Sequence, residues 1–416
     1  MIQNFEVNSK QIDLIKKITK EEKKIRIKNL EFFKSAGFPS KKLEDWKFSD
    51  FKTIIDNNFD KLEINNVSHK IEKIDLLKEF EHNYIFLVNG YLHSSNFDYE
   101  DKIKIKINSY DSSIDAEVSR NPLVCLNHAF AENGYSLEID ENYKLKKVVV
   151  VYNIFTDDIS NKILNSKNKI KIKENSELHL IEYIINKSKF KFVNNLYENV
   201  ILEKNSKFKN IYMHSNKSNG FFHKFLKNKF LSNSDYSNLI FSSGLKFNKL
   251  DINCDLEGEN VNCNILSALF LNDKEHNEIK TCINHLAPNC TSFQKVKNVL
   301  GSDSKGIFQG KIHVKDIAQK TDAYQLSRAL LLNNDSEFNS KPELEIYADD
   351  VKCSHGSTSG SLDEDILHYL MTRGLNRNES SKLLIKGFLN EIVEFIKSSS
   401  VRKFIENKLD RQINGY

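Results

Sequence analysis

The chain has 416 residues, enough for two or three structural units with sizeable cores. Its 61 basic and 57 acidic residues nearly cancel to a net +4 and are mixed along the chain, which argues against a dedicated nucleic-acid or membrane surface. No apolar run reaches the ~18 residues of a transmembrane helix, and the six cysteines form no CxxC pair, so reduced thiols are expected. The start Met1-Ile-Gln-Asn-Phe-Glu6 shows no basic-then-apolar leader, and a cytoplasmic location is the expectation.

Residues 1–83 read as a helical region. Ile12, Leu14, Ile15 and Ile18 begin an apolar stripe that Ile25, Ile27, Leu30, Phe32 and Phe33 continue. Gly37-Phe-Pro-Ser40 interrupts it, and the single tryptophan, Trp46, reads as a packing anchor. From about residue 84 the period shifts toward two. Tyr84-Ile-Phe-Leu-Val-Asn89-Gly90-Tyr91 is a short strand ending in an Asn-Gly turn signal, and Val148–Tyr152 is another strand.

Beyond it a pattern recurs: apolar residues, a polar turn, apolar residues again. Asn175-Ser176, Asn205-Ser206 and Asn233-Ser234 mark the turns, with looser echoes at Gly258-Glu-Asn260, Pro288-Asn289-Cys290 and Gly301-Ser-Asp303. Short strands repeating at this period imply a solenoid, since each coil can bury its inner face only against neighbours. A sandwich stays open, although hairpin signals are sparse; the preferred core is a mainly β structure, a parallel β-helix over residues 84–360 of on the order of nine coils and ~40 Å.

The run Pro342-Glu-Leu-Glu-Ile-Tyr-Ala-Asp-Asp-Val-Lys-Cys353-Ser-His355-Gly356 reads as one strand closed by glycine. Alternation would then put Asp349, Val351, Cys353 and His355 on one side. Residues 361–416 return to a helical period. Ser361-Leu-Asp-Glu364 fits a capping box, Gly374 a helix end and Asn376 a second cap, with a last short helix near Val401–Ile413.

Cys353 and His355 are the first candidate ligands, at the last coil, where an open strand edge invites another chain. A tetrahedral site needs about four donors, so two must be completed from elsewhere. Cys254, Cys263, Cys282 and Cys290 fit no zinc or iron–sulfur spacing and read as structural thiols, as does His285 beside them. No phosphate-binding loop or nucleophile elbow occurs. The apolar face Leu383, Leu384, Phe388, Ile392 and Phe395 can serve as core or as a dock for a partner.

Tyr347-Ala-Asp-Asp-Val-Lys-Cys-Ser-His-Gly356, Gly360-Ser-Leu-Asp-Glu364, His368-Tyr-Leu and Arg373-Gly-Leu375 closely resemble the C-terminal signature of the SufB/SufD family of iron–sulfur cluster assembly proteins. Gly37-Phe-Pro, Glu44-Asp-Trp-Lys-Phe48, Val88-Asn-Gly90 and Leu126-Asn-His-Ala-Phe130 look like its SufD branch. Ser359 departs from the aliphatic residue that members often carry there.

The resemblance implies a right-handed parallel β-helix between helical end units. It implies a complex with a SufB paralogue and SufC ATPase subunits, the latter docking on the C-terminal helices around Leu383, Leu384, Phe388, Ile392 and Phe395. His355 falls on the family histidine implicated in cluster formation at the SufB–SufD interface, and Cys353 on the neighbouring cysteine. Any metal or iron–sulfur cluster on them would be transient and shared with SufB, none being held tightly by this chain alone. The role implied is a non-catalytic assembly subunit. Two rivals are a self-sufficient homodimeric scaffold and a β-helix polysaccharide-acting enzyme. The latter needs paired carboxylates, which Asp349-Asp350, adjacent on a strand, would not supply.

Overall fold

Each repeat contributes one strand to each of two facing parallel sheets. The computed structural model describes residues 5–15, 18–66, 75–109 and 119–415. The first sheet runs through Asn133–Ile139, Lys162–Ile172, Phe192–Leu202, Ser218–Phe230, Leu245–Leu256, His276–His285, Lys305–Val314 and Glu337–Ile346. The second runs through Asn83–Val88, Val149–Phe155, Glu177–Asn186, Lys207–His214, Asp235–Ser242, Asn262–Leu271, Thr291–Leu300, Asp322–Leu331 and Lys352–Gly360. From Asn133 onward the chain alternates between the sheets, winding a parallel β-solenoid of eight turns.

That is one turn fewer than the expected nine. The segment before Asn133 is spent differently: Asn83–Val88 pairs antiparallel with Tyr91–Asn96 around the Asn89-Gly90 turn, and Ile105–Ser109 pairs antiparallel with Asn133–Ile139. These antiparallel pairs extend the two sheets at the start of the solenoid instead of adding a coil.

The Asn-Ser repeats have a direct cause. Asn142, Asn175, Asn205, Asn233, Asn260 and Asn289 all take left-handed backbone angles, φ between 57° and 59°, which asparagine tolerates better than other residues with a Cβ. In successive coils their side chains stack. The Nδ2 of Asn175 donates to Asn142 at 2.9 Å, Asn205 to Asn175 at 2.9 Å, Asn233 to Asn205 at 3.1 Å and Asn260 to Asn233 at 3.1 Å. The following serine returns its hydroxyl to the turn: Ser206 bonds the Glu203 carbonyl and Ser234 that of Leu231. The Gly301-Ser-Asp303 echo lies on the opposite edge of the solenoid, where the chain passes from the second sheet back to the first.

Among the described residues, seven α-helices flank the sheets: α1 (Ser9–Asp13), α2 (Lys20–Ala36), α3 (Phe51–Asn58), α4 (Pro122–Phe130), α5 (Glu364–Thr372), α6 (Arg377–Val393) and α7 (Ser399–Asn414). α1–α4 cover the outer face of the first sheet, where Phe33, Phe51 and Leu126 pack on Ile163, Val193 and Phe247. Trp46 is buried there as expected, with the Lys249 ammonium 4.8 Å from its ring centre. α6 and α7 cover the outer face of the second sheet. Their Ile385, Leu389, Ile392, Phe404 and Ile405 pack on Ile154, Ile181, Met213, Phe241 and Val299. α6 begins with the expected Asn376 cap, reciprocated by Glu379. α5 does not use Ser361; Asp363 caps it, accepting from the Asp365 and Ile366 amides. Gly374, at φ 99°, follows α5 in a conformation suited to glycine.

Candidate functional site: the open terminal coil

Among the described residues, no strand pairs beyond the last coil of the solenoid. Glu337–Ile346 pairs only with Lys305–Val314, and Lys352–Gly360 only with Asp322–Leu331. Inner strands are buried at alternate or successive positions, whereas no residue of either terminal strand is buried. Both terminal strands therefore present unpaired backbone donors and acceptors along their free edges.

The 342–356 run is not one strand. It breaks at Tyr347–Val351, where the Lys320 amide bonds the Asp350 carbonyl and the Asp350 amide bonds the Gln319 side chain at 2.9 Å. Asp349 and Asp350 thus sit in a bend between the sheets, not on a strand. The second strand then continues through Gly356 to Gly360.

Cys353 and His355 are alternate residues of that terminal strand and share a face. The parallel register sets Cys353 beside Ala323 and His355 beside Gln325, which in turn lies beside Gln294. Ala323, Gln325 and Gln294 are all buried, Gln325 at 1% exposure, while His355 is exposed. The difference is the next coil: His355 continues an inner column for which the described residues supply no further strand.

Cys353 is half-buried and packs with Leu344 and Val351 against Ile312, Val314, Ala318, Ala323 and Ala348. Burial pushes its thiol above the ordinary range and the Asp322 carboxylate adds to this, while a hydrogen bond with the Ala323 backbone opposes them. In this state the sulfur is a thiol at neutral pH, and a cation brought to it would favour the thiolate.

Two features of this end escaped the sequence reading. The Ser327 hydroxyl meets Ser340 at 2.8 Å and donates to Ser357 at 3.0 Å, tying the two terminal strands together beneath the free edge. Gln325 donates through Nε2 to the Glu343 carbonyl at 3.1 Å and keeps its Oε1 buried without a partner. Counting one repeat back from Cys353, His355 and Ser357 would have pointed to Ala323, Gln325 and Ser327.

Among the described residues, no group of three or more His, Cys, Asp or Glu side chains could hold a metal ion. The other thiols are placed as structural residues. Cys254 and Cys263 hydrogen bond to each other inside the solenoid, Cys290 donates to the Gly258 carbonyl at 3.2 Å, and Cys282 is half-buried. His285 is buried, 2.9 Å from the Ser292 hydroxyl, and burial lowers its pKa to about 4.

The expected docking face divides. Ile392 is fully buried on the second sheet, and Leu384 and Phe388 are half-buried, the Phe388 ring lying 4.3 Å from the Lys297 ammonium. Leu383 and Phe395 stay exposed, at 49% and 46%, as do Ile366, Tyr369 and Met371 of α5. Most of the apolar stripe of α6 is therefore consumed by the chain's own sheet.

A family model described as the SufBD core domain of the SUF system for FeS cluster assembly matches residues 154–388, from the second-sheet strand Val149–Phe155 into α6. The chain belongs to this SufBD family. Its relatives include the iron–sulfur cluster assembly protein SufD of Escherichia coli, 23% identical over 91% of this chain and 90% of that protein. The chloroplastic protein ABCI7 of Arabidopsis thaliana is 24% identical over 92% of this chain and 84% of its own length. A SufBD family protein of Synechocystis is 33% identical over 38% of this chain and 35% of its own. The SufBD match includes both terminal strands, and with them Cys353 and His355. No helix among the described residues is long and apolar enough to cross a membrane.

Proposed function

We propose that this SufBD protein is a non-catalytic, cytoplasmic subunit of the SUF assembly machinery, completed at its open coil by a SufB paralogue. The observation that carries this reading is the unfinished terminal rung, with an exposed imidazole and a half-buried thiol on one face of its edge strand. Two donors leave a tetrahedral iron or an iron–sulfur cluster half-ligated. Strand pairing across the edge would bring a partner's donors beside Cys353 and His355. Iron and sulfide would then be cargo, held transiently at the shared edge.

The exposed apolar residues of α5 and α6, Leu383 with Ile366, Tyr369 and Met371, are the surface on this reading for a SufC-type ATPase. Since α6 is also packed on the second sheet through Ile385, Leu389 and Ile392, a movement imposed on the helices is transmitted to strands rather than absorbed in a linker. The same open edge would pair with a second copy of the chain, which favours a homodimer when the chain is alone.

The test is His355→Ala in a co-expressed assembly. The variant should co-purify with its partners at wild-type stoichiometry but yield several-fold less cluster on anaerobic reconstitution with iron and sulfide. Unchanged cluster yield would overturn the role given to His355. A stable cluster on the isolated chain would favour a self-sufficient scaffold.

A further inference from the structure

A sizeable groove lies away from the open coil. It encloses about 510 Å³ on the outer face of the second sheet, between residues 79–81, the sheet itself and the turn joining α6 to α7. Its floor is apolar, built from Val148, Ile181, Ile211 and Leu239, with Phe80 and Val401 as walls. Phe395 stands half-exposed at the mouth. The volume matches sites for small molecules, roughly 300–1,000 Å³.

The rim is cationic. Lys146, Lys147, Lys209 and Lys397 line it, with His179, which burial holds toward its neutral form, against Glu79 and Glu81. Lys147 is engaged by Glu81 at 2.6 Å, while His179 at 2.8 Å and Lys209 at 3.8 Å share Glu177. Among the described residues, Lys146 and Lys397 have no acidic partner within ion-pair distance, and both are exposed. An apolar floor beneath lysines without acidic partners is complementary to a molecule with an apolar body and one negative head.

We propose that this groove binds a small amphipathic anion, its apolar body on Ile181, Ile211 and Leu239 and its head at the Lys146 and Lys397 rim. The site is independent of the cluster-assembly reading, because it shares no residue with the terminal coil. Apolar contact supplies most of the affinity, at about 25 cal/mol per Å² removed from water. The lysines select the sign of the head, since a cationic head would meet like charge on the rim.

The full-length chain is titrated calorimetrically with dodecanoate, with dodecyltrimethylammonium of the same tail and opposite head, and with acetate, the head without a tail. Dodecanoate should bind at one site per chain, with the other two at least ten-fold weaker. The double variant Lys146→Glu/Lys397→Glu, at exposed positions, should weaken dodecanoate at least ten-fold. Leu239→Trp, checked for folding by circular dichroism, should block it by filling the floor. Equal binding of both head groups, absence of dodecanoate binding, or binding unaffected by both variants would each overturn the proposal.

Discussion

Replacing Glu198 by glutamine should remove a pH dependence of stability that is built into the solenoid interior. Lys224, buried to 4% exposure, puts its ammonium 2.6 Å from both Glu182 oxygens and 3.0 Å from Glu198. Two carboxyls thus share one cation, among Asn168, Asn210 and Tyr212. Burial and then the Glu182 charge raise the Glu198 pKa from 4.5 to about 7, with Lys224 and Asn168 opposing.

A carboxyl with a raised pKa stays protonated in the folded chain at a pH where the unfolded chain has already released the proton. The folded state binds more protons between about pH 4.5 and 7, so stability falls as pH rises through that window and is level above it. A rise of this kind corresponds to a few kcal/mol.

Urea unfolding of wild type and Glu198→Gln at pH 5, 6, 7 and 8 gives the difference curve. It cancels other groups of the same sign, such as Glu275, which burial also raises to about 7. The two proteins should be close at pH 5, and the variant should be more stable by a few kcal/mol at pH 8. Lys224→Met, which strands both acids, should cost about 3–5 kcal/mol at neutral pH. Parallel curves for wild type and Glu198→Gln would refute the assignment of the shared proton to this site.

Asn205→Gly should keep the left-handed turn and lose two rungs of the asparagine ladder, while Asn205→Ala also incurs the backbone cost of roughly 1–2 kcal/mol. Chemical denaturation of both variants separates the contributions, and equal losses would show that the ladder alone matters. For the docking surface, Leu383→Asp with Tyr369→Ala should leave the circular dichroism spectrum and melting temperature unchanged. The same pair should reduce co-purification of a co-expressed ATPase at least several-fold, and retention at wild-type levels would move the docking site elsewhere.

The coils were legible because their turns demand an uncommon backbone conformation. Asn175, Asn205 and Asn233 announce it at nearly constant spacing, and that spacing survives where apolar strand residues vary. Applying the same period further would have corrected the reading of the terminal run. Asn289 and Lys320, both at φ 59°, mark the two preceding turns, and one more repeat of about that length lands at Asp350. The bend at Tyr347–Val351 was therefore written in the repeat, but the β propensity of Leu344-Glu-Ile-Tyr on one side and Val351 on the other masked it. Periodicity also identified the apolar side of α6, but a stripe does not name its occupant. Ile392 went to the chain's own sheet and Leu383 did not, and only the packing of two distant segments decides that.

The charged interior was the least expected part, although its signal is present. In Glu177–Asn186 the inward phase is Leu178, Leu180, Glu182, Ile184, and in Ser218–Phe230 it includes Phe222, Lys224 and Leu226. A charge on an apolar phase, as at Glu182, Glu198 and Lys224, is informative only once the register is known, because a slip of one residue would move all three to the outer face. Within the solenoid the Lys224 ammonium is shared by Glu182 and Glu198 and so is engaged by the chain's own carboxyls. At the terminal coil the same inner phase carries Cys353 and His355, and there no further coil exists to satisfy them. The chemical difference between the two sets is one of position: Lys224 in the middle of the stack is held by carboxyls of its own chain, and on the proposed reading those on the last rung are completed by another.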